Sequence, residues 1–428
     1  MNKEKILKLL EQKLVVARGC TEPIAIAYAS AVARKQLKVL PEKIIVKLSG
    51  NMVKNAMVVS IPGTSYTGID FVAALGAISG KPEKHLEVIG GLKSEDFEKA
   101  VRMVNTGAVE VELSDSTERL YIEVILENQD DKSRVIIMKN HLNIVLIEHN
   151  GKVIMKKEGQ GDKVAIGDED WSSLDIDTIY EFCQECELTK LGIVKYSITM
   201  NTQISDWGLK ESCGLEVGKT MMTNIEKGIV KDDLPNCLMA VTGAASDARM
   251  AGVDLPVMSN SGSGNQGIAA TMPVVEAAKK FGSTEEELLR AVTLSHLITI
   301  HIKLKFGVLS ALCGAVVAAA GAASGIVYLM DGNIQQIRYG IQNTLGNVAG
   351  ILCDGAKADC SLKISTCTNA AVQGALLAMQ NISISGKEGF VDGDVEKTIE
   401  NFSRLSKEGS IVMDKILLEI MLSKKKAV

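Results

Sequence analysis

The stretch FGVLSALCGAVVAAAGAASGIVYLM, from Phe306 to Met330, decides how the fold of this chain is interpreted. It contains no charged residue and is long enough to cross a bilayer. Its centre consists of Ala and Gly rather than Leu, Ile and Phe, and the sequence contains no second segment of this kind. The spacing of Gly321 and Gly325 lets another helix approach closely. These features predict a buried central helix in a mostly helical domain, with a membrane span as the alternative.

The sequence around this helix differs from the sequence before it. Over residues 161–428, long Ala-, Leu- and Met-rich segments predict a mostly helical domain. Residues 41–160 instead contain the β-branched runs IIVKLS, AMVVSIP, AVEVELS, LYIEVIL, SRVIIM and NIVLIEH, which predict an α+β sheet domain. Asn150-Gly151 predicts a hairpin between NIVLIEH and KVIMKK, and the stretch from Ser94 to Val104 predicts a covering helix.

Residues 1–40 predict two helices broken at Gly19, with Thr21 as the N-cap of the second helix. We expect these helices to pack with the C-terminal domain. The predicted fold class is therefore α+β, with an N-terminal sheet-bearing α/β unit packed on a mostly helical C-terminal domain that has a buried central Ala/Gly-rich helix.

Composition excludes several classes of protein. The 428 residues are 46% hydrophobic and 23% charged, unlike disordered or collagen-like chains. The 47 Lys and Arg residues are dispersed among 52 Asp and Glu residues, so we expect no nucleic-acid partner. The first 20 residues lack the unbroken apolar core of a signal peptide, which predicts a cytoplasmic protein. Its nine cysteines are then expected to be reduced thiols.

The cysteines suggest metal chemistry. Cys353, Cys360 and Cys367 can converge on one point if their glycine-containing loop folds back, although this spacing is not a standard zinc or ferredoxin pattern. Cys20 precedes a helix start, which lowers the pKa of a thiol and favours the thiolate. The alternative is that these are ordinary buried cysteines.

Two polar segments could bind a small ligand. The loop SNSGSGNQG leads into a helix and predicts an anion cradle for a carboxylate, with a flexible interhelical loop as the alternative. Its candidate residues are Ser261, Gly262, Ser263, Gly264, Asn265 and Gly267. The segment SGNMVKNAMVVSIPGT groups amides with an ammonium that could hold an amino acid, although surface-turn polarity would also explain it. Its candidate residues are Ser49, Asn51, Lys54 and Asn55.

Five motifs together carry a family resemblance: GCTEPIAIAYA, SGNMVKNAMVVSIPGT, GSGNQGIAA, LSALCGAVVAAAGAASGI and ILCDGAKADCSLKISTC. With them the chain resembles the L-cysteine desulfidase family, which is related to the alpha chain of iron-sulfur L-serine dehydratases. The resemblance implies a lyase that needs no pyridoxal phosphate and cleaves L-cysteine to sulfide, ammonia and pyruvate. It also implies an oxygen-labile [4Fe-4S] cluster, which protein prepared in air can lack.

The resemblance assigns roles to individual residues. The implied cluster ligands are Cys20, Cys313 and Cys353, with the fourth iron open to substrate. The related serine dehydratases take a third ligand shortly after the CD motif, so Cys360 and Cys367 remain rivals to Cys20.

On this basis we expect the 161–428 domain to be catalytic. The two polar segments would orient the substrate, and Lys54, Lys303 or His301 would act as the base. His296, on the same predicted helix as His301, is instead expected to be a hydrogen-bonded core histidine. The alternatives are dehydration of L-serine or another β-hydroxy amino acid, and a non-catalytic protein that binds a cluster or small ligand. We also expect a homo-oligomer and no membrane partner.

Overall fold

The computed structural model describes residues 2–37, 39–64, 66–157, 171, 173–307 and 309–425. The chain divides into two compact units. Unit 1 contains Met1–Val16, Trp171–Cys353 and Ala358–Ile411, and unit 2 contains Ala17–Asp170, Asp354–Lys357 and Val412–Val428. The last residues of the predicted sheet domain, 158–160, lie outside the described residues.

The helices and strands of the described residues have the following bounds. The helices are α1 (Lys3–Lys13), α2 (Thr21–Gln36), α3 (Gly50–Ala56), α4 (Ile69–Ser79), α5 (Ser94–Asn105), α6 (Ile176–Glu185), α7 (Gly192–Lys210), α8 (Val217–Glu226), α9 (Leu234–Met250), α10 (Gly264–Phe281), α11 (Glu285–Phe306), α12 (Gly314–Leu329), α13 (Ile334–Val348), α14 (Cys360–Met379), α15 (Val395–Arg404) and α16 (Ser410–Lys425). The strands are β1 (Leu14–Ala17), β2 (Lys43–Leu48), β3 (Val109–Leu113), β4 (Tyr121–Asn128), β5 (Asp131–Met138), β6 (Ile144–His149), β7 (Lys152–Lys156) and β8 (Val257–Asn260).

Unit 2 is built on a sheet with the strand order β3-β2-β4-β5-β6-β7. β2 is parallel to β3, and the other neighbouring strands are antiparallel. Alternate residues of β2 are buried (Ile44, Val46 and Leu48), and α2 packs against β4, β5 and α4. The predicted hairpin turn at Asn150 and Gly151 is present, with both residues at positive φ. The α+β fold class is confirmed.

The predicted strand AMVVSIP is wrong. Its first residue, Ala56, ends α3, and only Ser60 forms an isolated bridge, to Thr67. Pro62 cannot donate a ladder hydrogen bond, so the run cannot continue as an inner strand.

The N-terminal segment also differs from the prediction. The chain does break at Gly19, but β1 follows α1 directly and pairs with β8. Cys20, rather than Thr21, is the N-cap residue of α2, because Cys20 has extended backbone angles and Thr21 is already helical.

In unit 1, α12 is the predicted central helix. Its residues from Ala315 to Val327 are buried, and it packs against α10, α11, α13 and α14. A Cβ on Gly321 would lie 2.2 Å from Thr299 Oγ1, and one on Gly325 would lie 2.7 Å from Val274 Cγ2. The small residues therefore allow the close helix packing that was predicted. No helix in the described ranges is long and apolar enough to span a membrane.

The helix is shorter than the uncharged stretch. Phe306 ends α11, and Gly307 leaves the helical region with a φ of 97°. α12 begins at Gly314 after an extended segment, and Val308 lies outside the described residues. The prediction of one helix from Phe306 to Met330 is therefore wrong, because the described residues between Phe306 and Gly314 are not helical.

Candidate active site

Cys313 and Cys353 lie on two segments of unit 1 that pair with each other. The Cys313 N–H donates to the Ile351 carbonyl at 2.9 Å, and the Cys353 N–H donates to the Ala311 carbonyl at 2.7 Å. The residues between these bonds form an isolated antiparallel bridge. Backbone pairing therefore makes neighbours of two cysteines that are far apart in the sequence.

Three further thiols interact with Cys313. Burial raises the pKa of the Cys313 thiol most, and the neighbouring Cys353, Cys367 and Cys360 sulfurs raise it further. Burial likewise raises the pKa of Cys367 to about 12. Such thiols ionise with difficulty unless a positive metal centre stabilises the thiolates.

A donor set of thiols suits an iron-sulfur cluster better than a hard metal ion. No three His, Cys, Asp or Glu side chains among the residues described are arranged around a single metal ion. A cluster has a different requirement, because its protein thiolates bind separate irons. The residues around Cys313 therefore fit the donor set of a cluster.

Cys20 lies in unit 2, at the N-terminus of α2, and is 2% exposed. Gly19 before it has a φ of 71°, and a Cβ there would lie 2.3 Å from Pro62 Cγ. The turn that places Cys20 therefore requires glycine, for both conformation and space. A thiol at a helix N-terminus is electrostatically favoured as a thiolate.

The glycine-rich loop connects β8 to α10 and is more tightly bound than an open cradle. The N–H groups of Ser261, Ser263 and Gly267 donate to carbonyl oxygens of the chain itself. The Ser263 hydroxyl caps α10 by accepting from the Gln266 N–H at 3.3 Å. The Asn265 side chain contacts α9. At least three N–H groups of the loop are therefore already used.

Two glycines of this loop are required by packing. A Cβ on Gly264 would lie 2.3 Å from Arg249 Nε, and a Cβ on Gly267 would lie 2.0 Å from the Met258 carbonyl oxygen. Gly262 has a φ of 86°, which also favours glycine. The glycine content of the motif therefore has a structural cause that is independent of any ligand.

Gln266 is a polar residue at this site that sequence reasoning missed. Its side chain is 1% exposed, and its Nε2 donates to the Asn260 main-chain and side-chain oxygens at 3.2 and 3.3 Å. Its Oε1 has no hydrogen-bond partner among the described residues and faces Gly314, where a Cβ would lie 2.7 Å away. The only signal in the sequence was the position of Gln266 inside the motif GSGNQG.

His296 supports this arrangement from the core. Its Nδ1 accepts from Asn260 Nδ2 at 3.1 Å, so its Nε2 carries the proton toward Ser197 and Thr271 at 2.9 and 3.2 Å. Burial lowers the pKa of His296 to about 3, so the ring is neutral. His296 is a hydrogen-bonded core histidine, as predicted.

His301 is held by a carboxylate. Its Nε2 lies 3.0 and 2.9 Å from the two Glu396 oxygens, and Lys305 donates to the same carboxylate at 2.6 Å. Burial alone would raise the pKa of Glu396, but hydrogen bonds from His301 and Lys305 outweigh it and hold that pKa at about 2. Lys303 Nζ lies 4.7 Å from the centre of the Phe306 ring. The Glu396 carboxylate fixes the orientation of the His301 ring.

In unit 2, α3 carries a buried ion pair. Lys54 is 1% exposed and donates to Asp414 at 2.7 Å. With its amide oriented so that the nitrogen faces the carboxylate, Asn51 Nδ2 lies 3.0 and 3.2 Å from the two Asp414 oxygens. The loop after Cys353 contacts the same helix, since a Cβ on Gly355 would lie 2.3 Å from the Lys54 carbonyl oxygen. The Asp354–Lys357 segment of unit 2 thus lies against α3.

The other two polar residues of this segment have separate environments. Ser49 Oγ donates to the Arg119 carbonyl at 2.7 Å and accepts from the Tyr121 N–H, so it anchors the start of α3 to the sheet. Asn55 donates through Nδ2 to Glu22 at 3.2 Å. Asn55 therefore faces the N-terminus of α2, where Cys20 lies.

Comparison with known sequences identifies a family and several relatives that this chain resembles. The sequence model of a family described as serine dehydratase alpha chain matches residues 83–419. A UPF0597 protein of Oleidesulfovibrio alaskensis is 44% identical over 419 residues, which cover 98% of each chain. UPF0597 proteins of Actinobacillus pleuropneumoniae serotype 5b and Clostridium perfringens are 39% and 41% identical over 99% of this chain and 98% and 99% of their own.

Proposed function

The chain belongs to the serine dehydratase alpha chain family, and on that premise we propose that it is a [4Fe-4S]-dependent lyase that cleaves L-cysteine without pyridoxal phosphate. The observation that carries the proposal is the group of interacting thiols around Cys313. We propose Cys20, Cys313 and Cys353 as the cluster ligands. The products are sulfide, ammonia and pyruvate.

The proposed reaction is an elimination followed by hydrolysis. A base takes the α-proton, the Cα–Cβ double bond forms, and the sulfur leaves with the electron pair of the Cβ–S bond. The aminoacrylate tautomerises to an imine, which takes up water and releases ammonia to give pyruvate. When bound, the cluster would supply an open iron that acts as a Lewis acid on the leaving group.

Contacts of the three candidate bases rank them. His301 is oriented by Glu396, which supports it as the proton acceptor. The Lys54 ammonium is bound to Asp414, so Lys54 would need to lose a proton before acting as a base. Lys303 lies against an aromatic ring, an environment that favours its charged form. We therefore propose His301 as the base.

We propose that polar side chains and main-chain N–H groups near these motifs orient the substrate. The residues proposed are Asn51 and Asn55 of α3 and the N–H groups at Gly264 and Asn265. Ser49 contributes by anchoring α3, since its hydroxyl is bound to the sheet.

Dehydration of L-serine is the second candidate function, because the matching family is described as serine dehydratase alpha chain. The two reactions differ in whether the leaving group is a thiolate or a hydroxyl. Iron prefers a soft sulfur ligand to a neutral hydroxyl, which supports L-cysteine as the better substrate.

Anaerobic purification followed by activity assays tests the proposal. We expect bound iron, and faster sulfide release from L-cysteine than ammonia release from L-serine. Turnover of L-serine alone would establish the dehydratase function instead. Iron-loaded protein that turns over neither amino acid would overturn the enzyme proposal and support a non-catalytic cluster protein.

A further inference from the structure

Glu22 is a mostly buried carboxylate in unit 2. Its side chain is 14% exposed and lies in the first turn of α2, two residues after Cys20. Its Oε1 accepts from Asn55 Nδ2 at 3.2 Å, and its Oε2 accepts from the Thr21 hydroxyl at 3.1 Å. Both donors are neutral, so neither compensates the charge of the carboxylate.

Among the described residues, the ion-pair partner of Glu22 is the His141 ring, which is charged only when protonated. Within the described ranges, no Lys or Arg forms an ion pair with Glu22, and His141 Nε2 lies 3.9 Å from Oε1, beyond hydrogen-bond distance. Lys54 directly precedes Asn55 in the sequence, but its ammonium forms an ion pair with the Asp414 carboxylate. A mostly buried carboxylate whose hydrogen bonds come from neutral donors is incompletely compensated, so Glu22 is suited to a cationic ligand.

Asn55 provides a second acceptor beside Glu22. Asn55 is 7% exposed, and its Oδ1 has no hydrogen-bond partner among the residues that the structure describes. Because Nδ2 of the same amide is fixed on Glu22, Oδ1 lies within a few ångströms of the carboxylate. A buried acceptor of this kind loses its interaction with water and requires a donor.

A primary ammonium satisfies both groups, since it carries a positive charge and three N–H donors. The loop that follows Cys353 lies beside these acceptors, because a Cβ on Gly355 would be 3.8 Å from the Asn55 Cα atom. Cys20 is two residues from Glu22 in the sequence. The ammonium acceptors therefore neighbour two of the segments that carry proposed cluster ligands.

We propose that Glu22 and Asn55 Oδ1 bind the α-ammonium group of the amino-acid substrate. This assignment rests on the lyase function proposed above. It adds Glu22 as a binding residue and predicts a preference for amino acids over acids of the same length that lack the ammonium group. The Asn55 amide has two roles, because it orients Glu22 through Nδ2 and receives the ligand through Oδ1.

Glu22→Gln tests the assignment, because it keeps the shape of the side chain and removes its charge. Glu83→Gln, at an exposed residue of the same unit, is the matched control. In the cluster-loaded enzyme, KM for L-cysteine should rise roughly 10- to 100-fold in Glu22→Gln, the range for one lost charge-assisted hydrogen bond. Inhibition by 3-mercaptopropionate, which is cysteine without the ammonium, should change less than about twofold.

A second readout needs neither iron nor turnover. L-serine should raise the melting temperature of the iron-free protein more than 3-hydroxypropionate does, and Glu22→Gln should abolish that difference while Glu83→Gln retains it. This measurement remains valid if the loaded protein proves inactive, so failure of the lyase proposal is distinguishable from failure of the ammonium site.

Three results would overturn the assignment. One is a Glu22→Gln protein that still distinguishes L-serine from 3-hydroxypropionate. Another is a fall in kcat with unchanged KM, which would make Glu22 a proton acceptor instead. The third is a lower melting temperature with unchanged ligand discrimination, which would limit Glu22 to stabilising the start of α2.

Discussion

Gly355 lies directly against the main chain of Lys54, so that a Cβ on Gly355 would be 2.3 Å from the Lys54 carbonyl oxygen. Gly355 also has a φ of 105°, which side chains rarely adopt. Both the contact and the backbone angle require glycine at this position, two residues after Cys353. The loop that carries a proposed ligand is thus fixed on α3.

Gly355→Ala should therefore displace this loop. Backbone strain of this kind costs roughly 1–3 kcal/mol, and we expect lower thermal stability together with reduced iron content after anaerobic reconstitution. Gly350→Ala is the control, because nothing lies within 4 Å of a Cβ at Gly350. Full iron content in Gly355→Ala would show that the loop position does not matter for metal binding.

Gly314 and Gln266 should be energetically coupled. An added methyl group at Gly314 lies 2.7 Å from Gln266 Oε1, so Gly314→Ala alone should destabilise the protein by about 1–3 kcal/mol. In a Gln266→Ala background the same change should cost little, since the methyl group then has room and Ala favours the helix. Urea unfolding of the four proteins measures the coupling. Additive effects would contradict the contact.

Removing one partner of the Lys54–Asp414 ion pair should destabilise the protein more than replacing both partners with apolar residues. Lys54→Met or Asp414→Asn each leaves a buried charge, and we expect each to lose about 3–5 kcal/mol. The double variant Lys54→Met/Asp414→Leu should recover part of that loss, because it removes both charges; Asn51 still loses its acceptor. Chemical denaturation measures all three. Single variants within about 1 kcal/mol of wild type would mean that the pair is effectively solvated.

Local sequence patterns predicted most elements of this fold, and long-range contacts explain where they failed. β2 and β4 were predictable because alternation of β-branched residues is local. The described residues between Phe306 and Gly314 are not helical, and the Cys313 main chain there pairs with Ile351 from a distant part of the sequence. Residue type alone does not reveal such pairing.

The residues of the candidate site were likewise only partly predictable from the sequence. The resemblance predicted Cys313 and Cys353 as ligands, and cysteine spacing had singled out Cys353; the backbone segments that carry the two residues pair with each other. Gln266 and Glu22 were missed although both lie inside quoted motifs. Both side chains are mostly buried and incompletely hydrogen-bonded. Their contacts with Asn260 and Asn55 come from residues that are not adjacent to them in the sequence.

Glu396 should give the protein a specific acid sensitivity. Its folded-state pKa of about 2 is below its ordinary value of 4.5, so its stabilising effect is complete above about pH 4.5 and is lost as the pH falls toward 2. Between pH 4.5 and 3.5, wild type should lose about 1 kcal/mol more stability than Glu396→Gln. Glu400→Gln, on the exposed side of α15, should behave as wild type. Parallel acid profiles for wild type and Glu396→Gln would contradict the prediction.

Single Cys→Ser variants should identify the cluster ligands. Serine binds iron weakly in place of a thiolate, so Cys20→Ser, Cys313→Ser and Cys353→Ser should each lose most of the bound iron and all lyase activity. Cys360→Ser and Cys367→Ser should keep both, because these thiols neighbour Cys313 but are not proposed as ligands. Iron and acid-labile sulfide are measured on protein reconstituted without oxygen, with thermal melting as the folding control. Loss of iron in Cys360→Ser or Cys367→Ser, with full iron in Cys20→Ser, would move the third ligand from α2 to α14.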